Sequence, residues 1–198
     1  MAFYNKAKWI LGILMVFVLI IATNLIDKNN FLKVRDSVVT IYEDRLVAKD
    51  LIFYMSKSIQ EKEIAVATTD TLFFLEQNKQ INKEIKDLVF KYEQTKLTVK
   101  EDKLFNTFKT NLEALKAAEM AFIQSKFIEK ASLNNQISNL KDNLYDLSKI
   151  QMYEGKKQMS ISKKAIDSVE LFTQIEIYIL ILLAVIIQII VIYKPKES

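Results

Sequence analysis

Arg45 is the residue of this chain whose type and setting point most directly to recognition chemistry. The sequence holds 26 lysines but only two arginines, Arg35 and Arg45. Arg45 falls on a line of apolar residues, between Ile41 and Ala48, where an apolar side chain would pack better. A guanidinium there has three uses. It can snorkel to the rim or pair with its neighbours Glu43 and Asp44. It can fix helix register through a buried polar contact, or it can face a ligand carboxylate with its two-pronged fork. Glu119 is a candidate partner, because it reads into a later apolar line between Leu115 and Phe122. It lies about 20 residues past its helix start, as Arg45 does, by helix counting. Ala118 fits the same position, so both readings stand.

Other polar groups support less chemistry. Lys62 also falls on the apolar line of its helix, near the distal end, where a snorkelling lysine is expected. Gln60, Glu61, Lys62 and Glu63 read as a solvated face. Phe73, Phe74, Tyr92 and Phe122 read as core aromatics rather than a ligand box. Ser160, Ser162 and Lys163 lie close together, but nothing supplies an oxyanion hole or an orienting acid. The chain contains no histidine, which removes the commonest general base and metal ligand. A di-iron bundle needs carboxylates with histidine at i, i+3. Cysteine is absent too, so disulfides and thiolate metal sites are excluded. These residues predict a protein that is not an enzyme and carries no cofactor or metal.

The elements that position Arg45 are long helices. Two glycines, Gly12 and Gly155, and one proline, Pro195, are too few for the turns of a β-rich or α/β fold of 198 residues. Two apolar stretches stand at opposite ends of the sequence, Trp9 to Ile26 and Ile177 to Tyr193. At 1.5 Å per residue, about 18 residues span roughly 27 Å, near the hydrocarbon thickness of a bilayer. Both read as membrane spans. A cleaved signal peptide competes for the first, but no small-x-small pair follows the apolar run. Lys6 and Lys8 flank the first stretch, Lys194 and Lys196 the second, and short lysine-rich tails stay in the cytoplasm. The expected organisation is a cytoplasmic tail (1–8), a first span (9–26), an outer domain (27–176), a second span (177–193) and a cytoplasmic tail (194–198). Tyr4, Trp9 and Tyr193 sit near the interfaces, where such rings are enriched. The formal charge is +4, of which the tails contribute +3, so the outer domain is near neutral and offers no nucleic-acid surface.

Periodicity divides the outer domain into four helices. The first runs on from the membrane through Phe31, Val34, Val38, Ile41, Arg45, Ala48, Ile52, Met55, Ile59 and Val66, at the three-four spacing of a packed seam. Asp70 caps the second, which carries Leu72, Phe73, Leu75, Ile81, Ile85, Leu88 and Tyr92 and allows a break at Gln77 to Gln80. Thr98 to Glu101 has the capping-box pattern and starts the third, with Leu104, Phe108, Leu112, Leu115, Phe122 and Phe127. The fourth reads Leu133, Ile137, Leu140, Leu144 and Leu147 and continues past Gly155, a local irregularity, into the second apolar stretch. An even number of helices returns the chain to the membrane. The fold class is therefore all-α, an antiparallel up-down four-helix bundle continuous with two transmembrane helices, its longest helix (42 residues) about 63 Å.

Tyr42-Glu43-Asp44-Arg45, within Ile41 to Val47 and followed by Asp50-Leu51-Ile52, resembles the early-helix motif of four-helix-bundle sensory domains of bacterial methyl-accepting chemotaxis receptors. Thr95 to Thr98 with Glu101, then Phe108, Leu112 and Leu115, is similar to the turn and third helix of those domains. Many relatives place a proline soon after the arginine; Ala48 and Lys49 stand here, so an unkinked first helix is expected. The resemblance implies a sensory or ligand-binding module in the bacterial inner membrane, with its bundle in the periplasm. It also implies homodimers through the first helices, and an unknown small-molecule ligand. The receptors continue into a cytoplasmic signalling domain, whereas this sequence stops at Ser198; the expectation is a stand-alone form acting through a separate signalling membrane protein. A structural or assembly role in the cell envelope is the alternative.

Overall fold

The computed structural model describes the backbone of residues 2–192 and the side chains of residues 9, 12 and 14–186. Tyr4, Lys6, Lys8, Tyr193, Lys194 and Lys196, which carry the reading of orientation, lie outside the described side chains. The described residues are helical throughout apart from short turns. Helix α1 (Ala2–Val39) runs through a wide π-helical turn (Thr40–Leu46) into α2 (Val47–Thr68). A second wide turn (Phe73–Gln77) leads into α3 (Asn78–Glu93), followed by α4 (Val99–Gln124) and α5 (Ala131–Ile192). The expected all-α four-helix architecture is what forms, and two of its helices are long and apolar enough to cross a membrane.

The chain divides into two compact units, Val39–Gln158 and the pair Met1–Val38 with Met159–Ser198. Val39–Gln158 holds the bundle. Thr69 meets Lys130 at 2.7 Å, Glu63 meets Lys141 at 2.7 Å and Arg45 meets Gln151 at 2.9 Å, so α2 and α5 run antiparallel. The core is Met55, Ile59, Phe108, Leu115, Phe122, Leu133, Leu140 and Leu144, all essentially excluded from solvent. Each such side chain contributes about 1.5–3 kcal/mol on burial. Phe74 and Phe122 meet edge to face at 5.2 Å, as core rings do.

Local chemistry sets the helix ends. Thr69 ends α2 in the left-handed region at φ 54°, and Asp70 Oδ1 accepts from the Phe73 N–H at 2.9 Å to cap the next helix. Thr98 Oγ1 accepts from Glu101 N–H, while the Glu101 carboxylate accepts from Thr98 N–H, the reciprocal capping box expected at the start of α4. Helix α4 ends earlier than its apolar pattern implied. Lys126 and Phe127 have φ of 55° and 66°, so Phe127 lies in the turn, where it still packs on Phe122 at 5.3 Å.

Two further departures concern α3 and the first helix. Gln77 to Gln80 is no break: the wide turn Phe73–Gln77 carries the helix through it and turns Asn78 inward, where it is buried. In the first helix no proline interrupts the chain, but the wide turn Thr40–Leu46 replaces a straight α-helix. On α1, Asn30 and Ser37 are buried, whereas Phe31 and Val38 of the expected seam are exposed.

Candidate functional site

Two buried polar clusters occupy the core of the bundle, each beside a wide turn. The first is built on Arg45, near the end of Thr40–Leu46 and buried despite its charge. Its Nη1 donates to Glu101 Oε1 and Oε2 at 2.9 and 3.0 Å and to Gln151 Oε1 at 2.9 Å. Its Nη2 donates to the Lys96 carbonyl at 2.8 Å, leaving Nε without a partner. Gln151 Nε2 donates to the Tyr92 hydroxyl at 2.9 Å and to Glu101 Oε1. Asp44 stands at the edge, accepting from Lys96 N–H at 3.3 Å. Glu101 thus caps α4 and neutralises Arg45 with the same carboxylate. Burial pushes the Tyr92 hydroxyl up to about 12; the Glu101 charge adds to this, and the Gln151 hydrogen bond and Arg45 oppose it.

The second cluster joins α2, α3 and α4. Lys62 is completely buried, and its Nζ donates to Glu119 Oε1 at 2.5 Å and to Asn78 Oδ1. Asn78 Nδ2 and Asn82 Nδ2 both donate to Glu119 Oε2, at 2.9 and 3.1 Å. The ammonium therefore has a carboxylate, and that carboxylate has two further donors. Burial still pushes the Lys62 pKa below its usual value, against the raising effect of the Glu119 charge and hydrogen bond.

These contacts correct the expected pairing. Arg45 and Glu119 are both buried, but they belong to different clusters: Arg45 pairs with Glu101, and Glu119 pairs with Lys62. The turn between α3 and α4 reaches Arg45 itself, so Arg45 is level with the first turn of α4 rather than with its last third. Lys62 does not snorkel, because Glu119 and Asn78 meet its ammonium inside the core. Tyr42 and Glu43, of the family-like motif, are exposed, and Ser162 is buried while Ser160 and Lys163 are exposed.

Sequence reading missed Gln151, Asn78 and Asn82 as members of these clusters, and took Glu101 only as a cap. Gln151 continues the line Leu140, Leu144, Leu147 at the next spacing of four. Lys62 and Asn78 stand equally far on either side of Asp70, so counting outward from the distal turn places them at one level.

Each cluster is a charge-neutral, hydrogen-bonded set: the Arg45 cluster ties together the first helix, α3, α4 and α5, and the Lys62 cluster ties together α2, α3 and α4. Polar groups held this way define which helix faces meet, because any other register strands a charge. A family model described as a four-helix-bundle sensory module for signal transduction matches residues 6–166. Neither the curated proteins nor the solved structures give a match.

Proposed function

We propose that this chain, which belongs to the family of four-helix-bundle sensory modules for signal transduction, is a two-pass sensor of the bacterial inner membrane. In this reading both termini are cytoplasmic and the bundle stands in the periplasm. It binds a small ligand there, pairs with a second copy of itself, and acts through a separate membrane protein. The family match carries the reading, since the family is described as a sensory module for signal transduction. Two helices with the length and hydropathy of membrane spans, Leu14–Thr68 and Ala131–Ile186 among the described residues, support the anchoring.

A ligand screen on the full chain in detergent tests the sensory part. A ligand that binds only the native state raises the melting temperature by mass action, on the order of 2.7 kcal/mol at a hundred times its Kd. A broad panel of amino acids, organic acids and amines should give at least one such shift. Uniformly flat melting curves would favour the structural reading. One observation already speaks for that reading: the cations inside the bundle, Arg45 and Lys62, are both paired within the chain.

Topology is checked separately. Cysteine introduced at Ser132 should react with an impermeant thiol reagent added outside intact cells, and cysteine at Ser198 should not. Equal labelling at both positions would remove the assignment of sides while leaving the fold untouched.

A further inference from the structure

A groove lies within the unit that pairs α1 with the last part of α5. It runs between Leu14, Val18 and Ala22 on one side and Phe172, Ile175 and Ile179 on the other, and holds about 420 Å³. Its polar members, Thr23 and Glu176, stand near one end. Thr23 lies in the last turn of the first apolar stretch, and Glu176 directly precedes the second. With both helices as membrane spans, this end stands where hydrocarbon gives way to headgroups.

Glu176 is short of donors. The Thr23 hydroxyl carries one proton and has three acceptors within reach: the Leu19 and Ile20 carbonyls at 3.2 and 3.0 Å, and Glu176 Oε1 at 3.2 Å. A carboxylate has room for about four such bonds. Asp27, one turn beyond Thr23, is a second carboxylate, whose Oδ1 is shielded from solvent without a donor. The chain has no cation to offer at this depth, since neither Trp9–Ile26 nor Ile177–Tyr193 contains a lysine or arginine. Lys28 is exposed and stands about 140° around the helix from Thr23. A second copy would bring the same spans and the same lack.

The dimensions of the groove select its occupant. Thr23 and Leu14 are separated by about 13 Å of helix rise, near half the roughly 30 Å of bilayer hydrocarbon. Over that length the volume corresponds to a cross-section of roughly 30 Å², against about 80 Å² for a helix 10 Å across. One extended acyl chain fits and a helix does not. A primary ammonium, with three N–H donors, supplies what the acid lacks. We propose that this groove binds a phospholipid with a primary-amine headgroup, its ammonium on Glu176 and one acyl chain laid along Ala22, Val18 and Leu14. The inference rests on the membrane anchoring in the proposed function and not on ligand sensing.

The test uses the full chain in choline-phospholipid vesicles, with trace phospholipids spin-labelled on the acyl chain, and reads the motionally restricted fraction by electron spin resonance. Ethanolamine headgroups should associate about two- to fivefold more strongly than choline, the gain of an ion pair at an exposed boundary. Glycerol headgroups, which bring no cation, should associate no better than choline. Glu176→Gln should abolish the ethanolamine preference, and Glu176→Asp should retain it. Ala22→Trp, which fills the groove and leaves the acid in place, should abolish it too. A preference that survives Ala22→Trp would make Glu176 a surface charge with no chain seated beside it and overturn the proposal. Equal association of all three headgroups with the unsubstituted chain would also overturn it. The anchoring reading is judged separately, by whether an alkaline wash leaves the chain in the vesicles; release by that wash would remove both.

Discussion

Glu101→Ala should destabilise the bundle by about 3–5 kcal/mol, the range for removing one partner of a buried ion pair. The loss has two origins in one carboxylate. Arg45, buried and bonded through Nη1 to both Glu101 oxygens, becomes an uncompensated charge. Helix α4 also loses the reciprocal half of its capping box at Thr98 N–H. Arg45→Met should cost less than Glu101→Ala, because Glu101 keeps its bonds to Thr98 and Gln151. Combining Arg45→Met with Glu101→Leu should recover much of the stability, since an apolar pair of similar volume replaces the desolvated charges. Chemical denaturation of the full chain in detergent, followed by circular dichroism, measures all three. With Glu101→Leu also measured alone, additivity of Arg45→Met and Glu101→Leu would mean that the two side chains are not coupled.

The sequence reached the helices and missed most of the contacts, for reasons that can be located. Core positions such as Ile59, Leu115, Leu140 and Leu144 were legible because an apolar line at three-four spacing has one reading. Arg45 was legible as a cation on such a line. Its partner was not, because level was counted from helix starts. That count assumes that all four helices begin together, whereas α3 and α4 are short and their connecting turn comes up to Arg45, bonding it through the Lys96 carbonyl. The two wide turns left no compositional mark. Thr40–Leu46 and Phe73–Gln77 contain neither glycine nor proline.

Lys62 should give the bundle a pH dependence that a single substitution removes. Its pKa in the folded chain is lowered, first by burial, and in the unfolded chain it returns to about 10.5. Below the folded value the ammonium is charged in both states, and its desolvation counts fully against folding. Between the folded value and 10.5 the unfolded chain binds a proton that the folded chain has released, so stability rises with pH. Tyr92 acts in the opposite sense at higher pH. Its folded pKa of about 12 exceeds the usual 10, so between those values the folded chain holds the extra proton and stability falls. Two pKa units correspond to a loss on the order of 3 kcal/mol. At neutral pH, Lys62→Met should cost about 3–5 kcal/mol, because Glu119 is left charged among Asn78 and Asn82 without its cation. The difference between the unsubstituted chain and Lys62→Met should widen as pH rises toward 10.5, and the fall beyond 10 should vanish in Tyr92→Phe. A difference that stays constant with pH would show that Lys62 keeps its proton throughout, held by Glu119 more strongly than burial expels it.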